Sequence, residues 1–137
     1  MNFEDMLQTS PYSLDKEEKG RFLTERLGEL TEKHRESCPQ YRNMLESAGY
    51  DSQKLCSYKE LPFLPVRLFK ELDLRSVPKE EVVKTMTSSG TTGQAVSKIY
   101  LDRVTSANQQ KVMVKIVSDF TGSSRMPMII LDLSLIH

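Results

Sequence analysis

The sequence predicts an α/β chain in which helices come first and a strand, loop, strand, helix and strand follow. Three observations predict it. Leucines recur at helical spacing between Asp15 and Pro39, two short β-branched runs flank a tract of glycine and hydroxyl residues at 88–93, and a nearly unbroken apolar run follows at 128–133. With 137 residues, 38% hydrophobic and 28% charged, the chain has the make-up of one ordinary globular domain.

The first helix starts at Asp15, whose side chain can accept from the orphan amides while Glu18, three residues on, reaches back. Leu23, Leu27 and Leu30 then form a narrow apolar stripe, and Pro39 limits the helix. A second, shorter helix is expected over Gln40–Ala48, burying Tyr41, Met44 and Leu45, with Gly49 as a left-handed C-terminal cap. Pro62 and Pro65 break the next segment into an extended apolar piece and a short helix, both expected to lie against the core, with Arg67 and Lys70 on a solvated face.

Val82–Thr87 and Val96–Leu101 read as strands, joined by more residues than a tight hairpin needs. Asp102 can cap a helix whose Met113, Ile116, Val117 and Phe120 fall at i, i+3, i+4 and i+7 and which ends before Gly122. Met128–Leu133 has the composition of a strand buried on both faces, which implies at least one parallel crossover. The chain is read as an incomplete domain over 1–137: a helical region at 15–56, a connecting segment at 57–81 and an α/β part at 82–137 that carries the loop 87–98.

Charge and motifs exclude several classes. Nineteen basic residues balance nineteen acidic ones, so no net field draws the chain to nucleic acid or to an anionic membrane. Cys38 and Cys56 lack CxxC spacing and neighbouring histidines, which argues for reduced thiols and against a metal site or a disulfide framework. The start has no apolar h-region and the 126–136 stretch is too short and too interrupted to span a bilayer, so a cytoplasmic protein is expected. His34, on the edge of the leucine stripe, is expected to do no chemistry.

The stretch TSSGTTGQAVSK at 87–98 is the informative one. Gly90 and Gly93 open backbone conformations closed to other residues, so successive amides can point into one concavity. Ser88, Ser89, Thr91 and Thr92 add hydroxyl donors, and Lys98 follows, a set suited to a polyphosphate. Composition alone would make this an ordinary surface loop. A Walker A loop is excluded, because Gln94 stands where lysine would follow the second glycine.

The order Ser88-Ser89-Gly90-Thr91-Thr92-Gly93 resembles the phosphate-binding signature of the adenylate-forming superfamily, which includes acyl-CoA synthetases and peptide-synthetase adenylation domains. The departure after it, Ala95 and Val96 where most members have proline and then lysine, points to one branch. LPFLPVRLFKELDL at 61–74, SKI at 97–99, LDRVTSANQQ at 101–110 and DFTGSSRMPMIILD at 119–132 are similar to the acyl-protein synthetase of bacterial bioluminescence, over roughly 15–132.

The resemblance implies the amino-terminal part of an adenylate-forming large domain. It further implies ATP and Mg2+ as cofactors, with Ser88, Ser89, Gly90, Thr91, Thr92, Gly93 and Lys98 as cofactor-binding residues. A fatty acid or similar carboxylate is the implied substrate, an acyl-accepting protein such as a reductase the implied partner. Catalytic residues and the acyl-accepting cysteine are expected beyond residue 137, so the chain by itself is expected to be inactive. Two other readings stand beside this one: an aryl- or acyl-CoA ligase of the phenylacetate type, and a non-catalytic module whose 16–36 helix docks on a partner. An unpaired strand at 128–136 would favour homo-oligomers.

Overall fold

The computed structural model describes residues 3–10, 12–88, 95–127 and 129. A short helix α1 (Phe3–Gln8) precedes the long α2 (Lys16–Ser37). No periodic or capping signal announces α1. By contrast α2 begins where Asp15 places it: the Asp15 carboxylate accepts from the amides of Glu17 and Glu18 at 2.8 Å, and the Glu18 side chain accepts from the Asp15 amide.

Cys38 is extended, and Pro39 opens α3 (Pro39–Ser47) at a position where its missing amide costs no helical bond. The corner is fastened by Arg42, whose guanidinium donates to the Arg35 carbonyl at 3.0 Å and to the Glu36 carbonyl at 2.8 Å, the otherwise orphaned end of α2. At the far end of α3, Gly49 takes φ 68°, the Tyr50 amide donates to Leu45 and the Gly49 amide to Glu46. This is the double-bonded glycine cap expected there.

The face of α2 that packs overlaps the leucine stripe only in part: Leu23 and Leu27 are half-buried. Leu30 is exposed, and Thr31, one residue on, is buried at 7% of its free surface. Contact with the 55–60 turn runs through small residues instead: Thr24 Oγ1 accepts from the Tyr58 amide at 2.9 Å, and a Cβ on Gly28 would sit 3.1 Å from Leu55 Cδ2. Small side chains let the turn approach the helix closely, while Leu23 and Leu27 are half-buried and only Leu30 of the stripe is exposed.

From 61 to 77 the chain runs mostly extended, with one turn of helix, α4 (Leu68–Glu71). The expectation that this whole segment lies against the core is corrected in part, since Phe63 is 90% exposed and Val66 also faces solvent. Arg67 pairs with Glu71 on the solvated side.

Two strands, β1 (Lys84–Thr87) and β2 (Lys98–Leu101), pair antiparallel with Lys84 opposite Leu101, Thr85 opposite Tyr100, Met86 opposite Ile99 and Thr87 opposite Lys98. They are shorter than the runs 82–87 and 96–101 predict. A tight turn at 79–81 takes up the residues just before Val82. Residues directly opposite share a face, so Thr85, Thr87, Lys98 and Tyr100 form one side and Lys84, Met86, Ile99 and Leu101 the other.

Helix α5 (Arg103–Thr121) is capped by Asp102, which accepts from the Thr105 amide at 2.6 Å, and stops at Gly122 with φ 79°. Its Gln109 side chain reaches Met86, and Lys111 pairs with Glu4, tying α1 to it. Met113, Ile116, Val117 and Phe120 align as predicted but face solvent. The predicted strand at 128–133, its parallel crossover and the unpaired edge at 128–136 lie outside the described residues except for Ile129. Mixed helix and sheet bear out the α/β class. The innermost side chains are Leu45, at 1% exposure, and Cys38.

Candidate functional site

The predicted phosphate loop falls in sequence between β1 and β2. Of the seven predicted binding residues, Ser88 and Lys98 are described, whereas Ser89, Gly90, Thr91, Thr92 and Gly93 lie outside the described residues. The root of the loop has a defined chemistry. The Ser88 amide donates to the Ser97 carbonyl at 3.2 Å, and the Ser97 amide donates back to Ser88 Oγ at 3.1 Å.

A strand would answer with its own carbonyl, so the hydroxyl substitution marks where the backbone leaves the ladder. Ser88 is thus a staple of the hairpin. Its Oγ still has a proton to donate, because accepting a bond uses only a lone pair. Ser97 is buried opposite it. Lys98 follows directly, paired across the ladder with Thr87.

Beside the hairpin, α2, α3, the 62–77 segment and β2 enclose a groove of about 560 Å³. Its walls include Tyr41, Leu64, Phe69 and Leu74, and Lys98 and Tyr100 line it from the strand. On one wall the Arg75 Nε donates to both Asp73 carboxylate oxygens at 2.9 Å, and its guanidinium lies over the Tyr100 ring, 5.6 Å from the centroid. Bonding to Arg75 holds the Asp73 carboxyl below its ordinary pKa, whereas burial first, then the neighbouring Asp73, push the Tyr100 hydroxyl up.

Also on the lining, His34 Nδ1 and Ser76 Oγ are 2.5 Å apart, and the His34 ring meets Tyr41 edge-on at 6.4 Å. Burial and then the positive Lys33 lower the His34 pKa, which favours the neutral ring at physiological pH. His34 therefore ties α2 to the 62–77 segment. Sequence reading placed it at a boundary, and it missed the groove entirely because its members come from four separated stretches with no shared spacing. Tyr100 and Arg75 give no signal beyond their chemistry; only the 42-residue separation closed by His34 and Ser76 brings the walls together.

Cys38 and Cys56 are free thiols, the first buried and the second exposed. Cys38 is close to Gln40. Among the described residues no three His, Cys, Asp or Glu side chains converge to hold a metal ion, and no helix is long and apolar enough to cross a membrane.

Comparison with known proteins gives a family and one relative. A family profile described as acyl-protein synthetase, LuxE, matches residues 2–135. The chain belongs to the acyl-protein synthetase family.

A phenylacetate-coenzyme A ligase of Thermus thermophilus is 32% identical over 121 residues, which is 82% of this chain and 26% of that ligase. The chain thus spans about a quarter of the length of that curated relative. No solved structure matches. Adenylate-forming relatives use ATP and Mg2+ in general.

Proposed function

We propose that this acyl-protein synthetase family chain supplies the phosphate-gripping wall of an ATP-dependent acyl-activating enzyme. In the reaction a carboxylate oxygen attacks the α-phosphorus of ATP, the bond to the β-phosphate breaks, and acyl-adenylate and pyrophosphate form. A carboxylate is a poor electrophile, and AMP makes its oxygen a good leaving group. The acyl group then passes to a protein cysteine, with loss of AMP.

The observation that carries this reading is the sequence Ser88–Gly93 between the strands of a hairpin whose last ladder rung is made by the Ser88 hydroxyl. The loop is thereby fixed at its root, and the amides and hydroxyls of 88–93 are the donors proposed to face the β- and γ-phosphates as charge moves toward pyrophosphate. Lys98, next to that root, is the cation proposed to stand near the same phosphates. Magnesium would neutralise phosphate charge when bound. Its ligands on this chain are left unassigned.

The test is nucleotide binding by the complete gene product. Gly90→Val, which closes the backbone conformations the loop needs, and Thr92→Ala are expected to weaken ATP binding at least tenfold and to abolish ATP–pyrophosphate exchange. Binding and exchange that survive both substitutions would refute the reading.

The phenylacetate-coenzyme A ligase relative favours a second acceptor, coenzyme A. A covalent acyl-protein band formed from labelled acid and ATP without coenzyme A supports the protein acceptor. Thioester that forms only with coenzyme A supports the other.

A further inference from the structure

We propose that Asp73, anchored by Arg75, is a positioning residue for Lys98 and fixes where the Lys98 ammonium stands beside the Ser88–Ser97 root of the hairpin. This role rests on the reading of Lys98 as a phosphate-side cation, and it names the groups that aim it.

Strand β2 sets the geometry. Lys98 and Tyr100 are alternate residues on it, so they share one face, and both line the groove. Arg75 packs over the Tyr100 ring with its Cζ 5.6 Å from the centroid, which brings the 62–77 segment against β2 beside Lys98. By itself a guanidinium in that place would push the Lys98 ammonium away, because like charges repel. Asp73 answers both cations. Its two oxygens accept from Arg75 Nε at 2.9 Å. That bond first, opposed by burial, holds the Asp73 carboxyl below its ordinary pKa, and the Tyr100 hydroxyl and the positive Lys98 lower it further.

The ion pair of Asp73 is with Arg75, and among the described residues no ion pair joins Asp73 to Lys98. Lys98 is therefore attracted without being captured. Lysine carries its charge on a flexible four-carbon stem, and a fixed counter-charge narrows the positions the ammonium samples while leaving its N–H donors to a phosphate. Arg75 supplies the fixing: a carboxylate held through both oxygens does not swing onto the ammonium. Half of the Asp73 side chain is exposed, so water screens the attraction and its effect is modest.

The experiment is ATP–pyrophosphate exchange by the complete gene product at varied ATP. Asp73→Asn, which keeps the shape and removes the charge, should raise KM for ATP about threefold with kcat unchanged, and Asp73→Glu should restore it. The half-exposed position should let both variants keep the circular dichroism of the parent. Arg75→Gln, which unties the carboxylate and lets it capture Lys98, should raise KM as well. In a Lys98→Met background Asp73→Asn should have no further effect, whereas a role confined to holding the fold would add to that of Lys98→Met. An unchanged or lowered KM for Asp73→Asn, or additive effects of the two substitutions, overturns the proposal. Lys98→Met raising KM while Asp73→Asn does not would remove the positioning role and leave Lys98 as a phosphate cation. Lys98→Met without effect would remove both, and Gly90→Val then reports on the loop by itself.

Discussion

Thr24 carries two bonds at once. Its hydroxyl donates to the Gly20 carbonyl at 2.8 Å, one turn back on α2, and accepts from the Tyr58 amide at 2.9 Å, 34 residues away. Here the second bond pins the 58–60 turn to α2. Thr24→Val keeps the shape but leaves the partly buried Tyr58 amide without its acceptor, which should cost about 1–3 kcal/mol. Urea unfolding should show the midpoint fall for Thr24→Val and recover for Thr24→Ser. An unchanged midpoint for Thr24→Val would show that water answers the amide as well as the hydroxyl does. At this scale the sequence says little, because the value of a threonine depends on which distant amide it meets.

Helix α5 is legible from the sequence and yet its environment is not. Asp102 begins it and Gly122 ends it, for local reasons: a carboxylate answers an orphan amide, and a residue at φ 79° and ψ 174° is confined to glycine. Its apolar stripe predicts a buried face. In the structure the stripe of Met113, Ile116, Val117 and Phe120 is open, with Phe120 at 72% exposure. Amphipathic spacing identifies a face suited to burial and says nothing about what arrives to bury it. Because Ile116 and Phe120 are both exposed, Phe120 largely so, the double variant Ile116→Lys with Phe120→Glu should leave the far-ultraviolet circular dichroism within error of the parent and raise the concentration at which the chain stays in solution. Loss of helical signal in that variant would show that the stripe is covered after all.

Among the described residues the buried apolar side chains are few: Cys38, Leu45 and Leu101. The buried apolar residues among those described sit at the α2–α3 corner and at the end of β2. A nucleotide site needs walls on several sides, and the proposed function assigns the hairpin one of them. The chain alone is therefore expected to give no ATP–pyrophosphate exchange above background with any fatty acid tested, whereas the complete gene product turns over. Measurable turnover by the 137 residues would mean that one wall suffices.

Across these scales, what the sequence alone determined is local and contiguous. The capping box at Asp15, the proline corner at 38–39, the glycine cap at Gly49, the two strands and the Ser88–Gly93 order are each set by neighbours a few residues apart, and so is the membership of the family. Tertiary structure decided everything that needed two distant stretches to meet. It brought Thr24 and Gly28 of α2 against the 55–60 turn, turned Ser88 into a staple across from Ser97, and drew His34, Ser76, Arg75 and Tyr100 around one groove. The physical reason is the range of the forces: capping and turn preferences act over a few residues of chain, while burial and charge pairing depend on which surfaces the folded chain brings within contact.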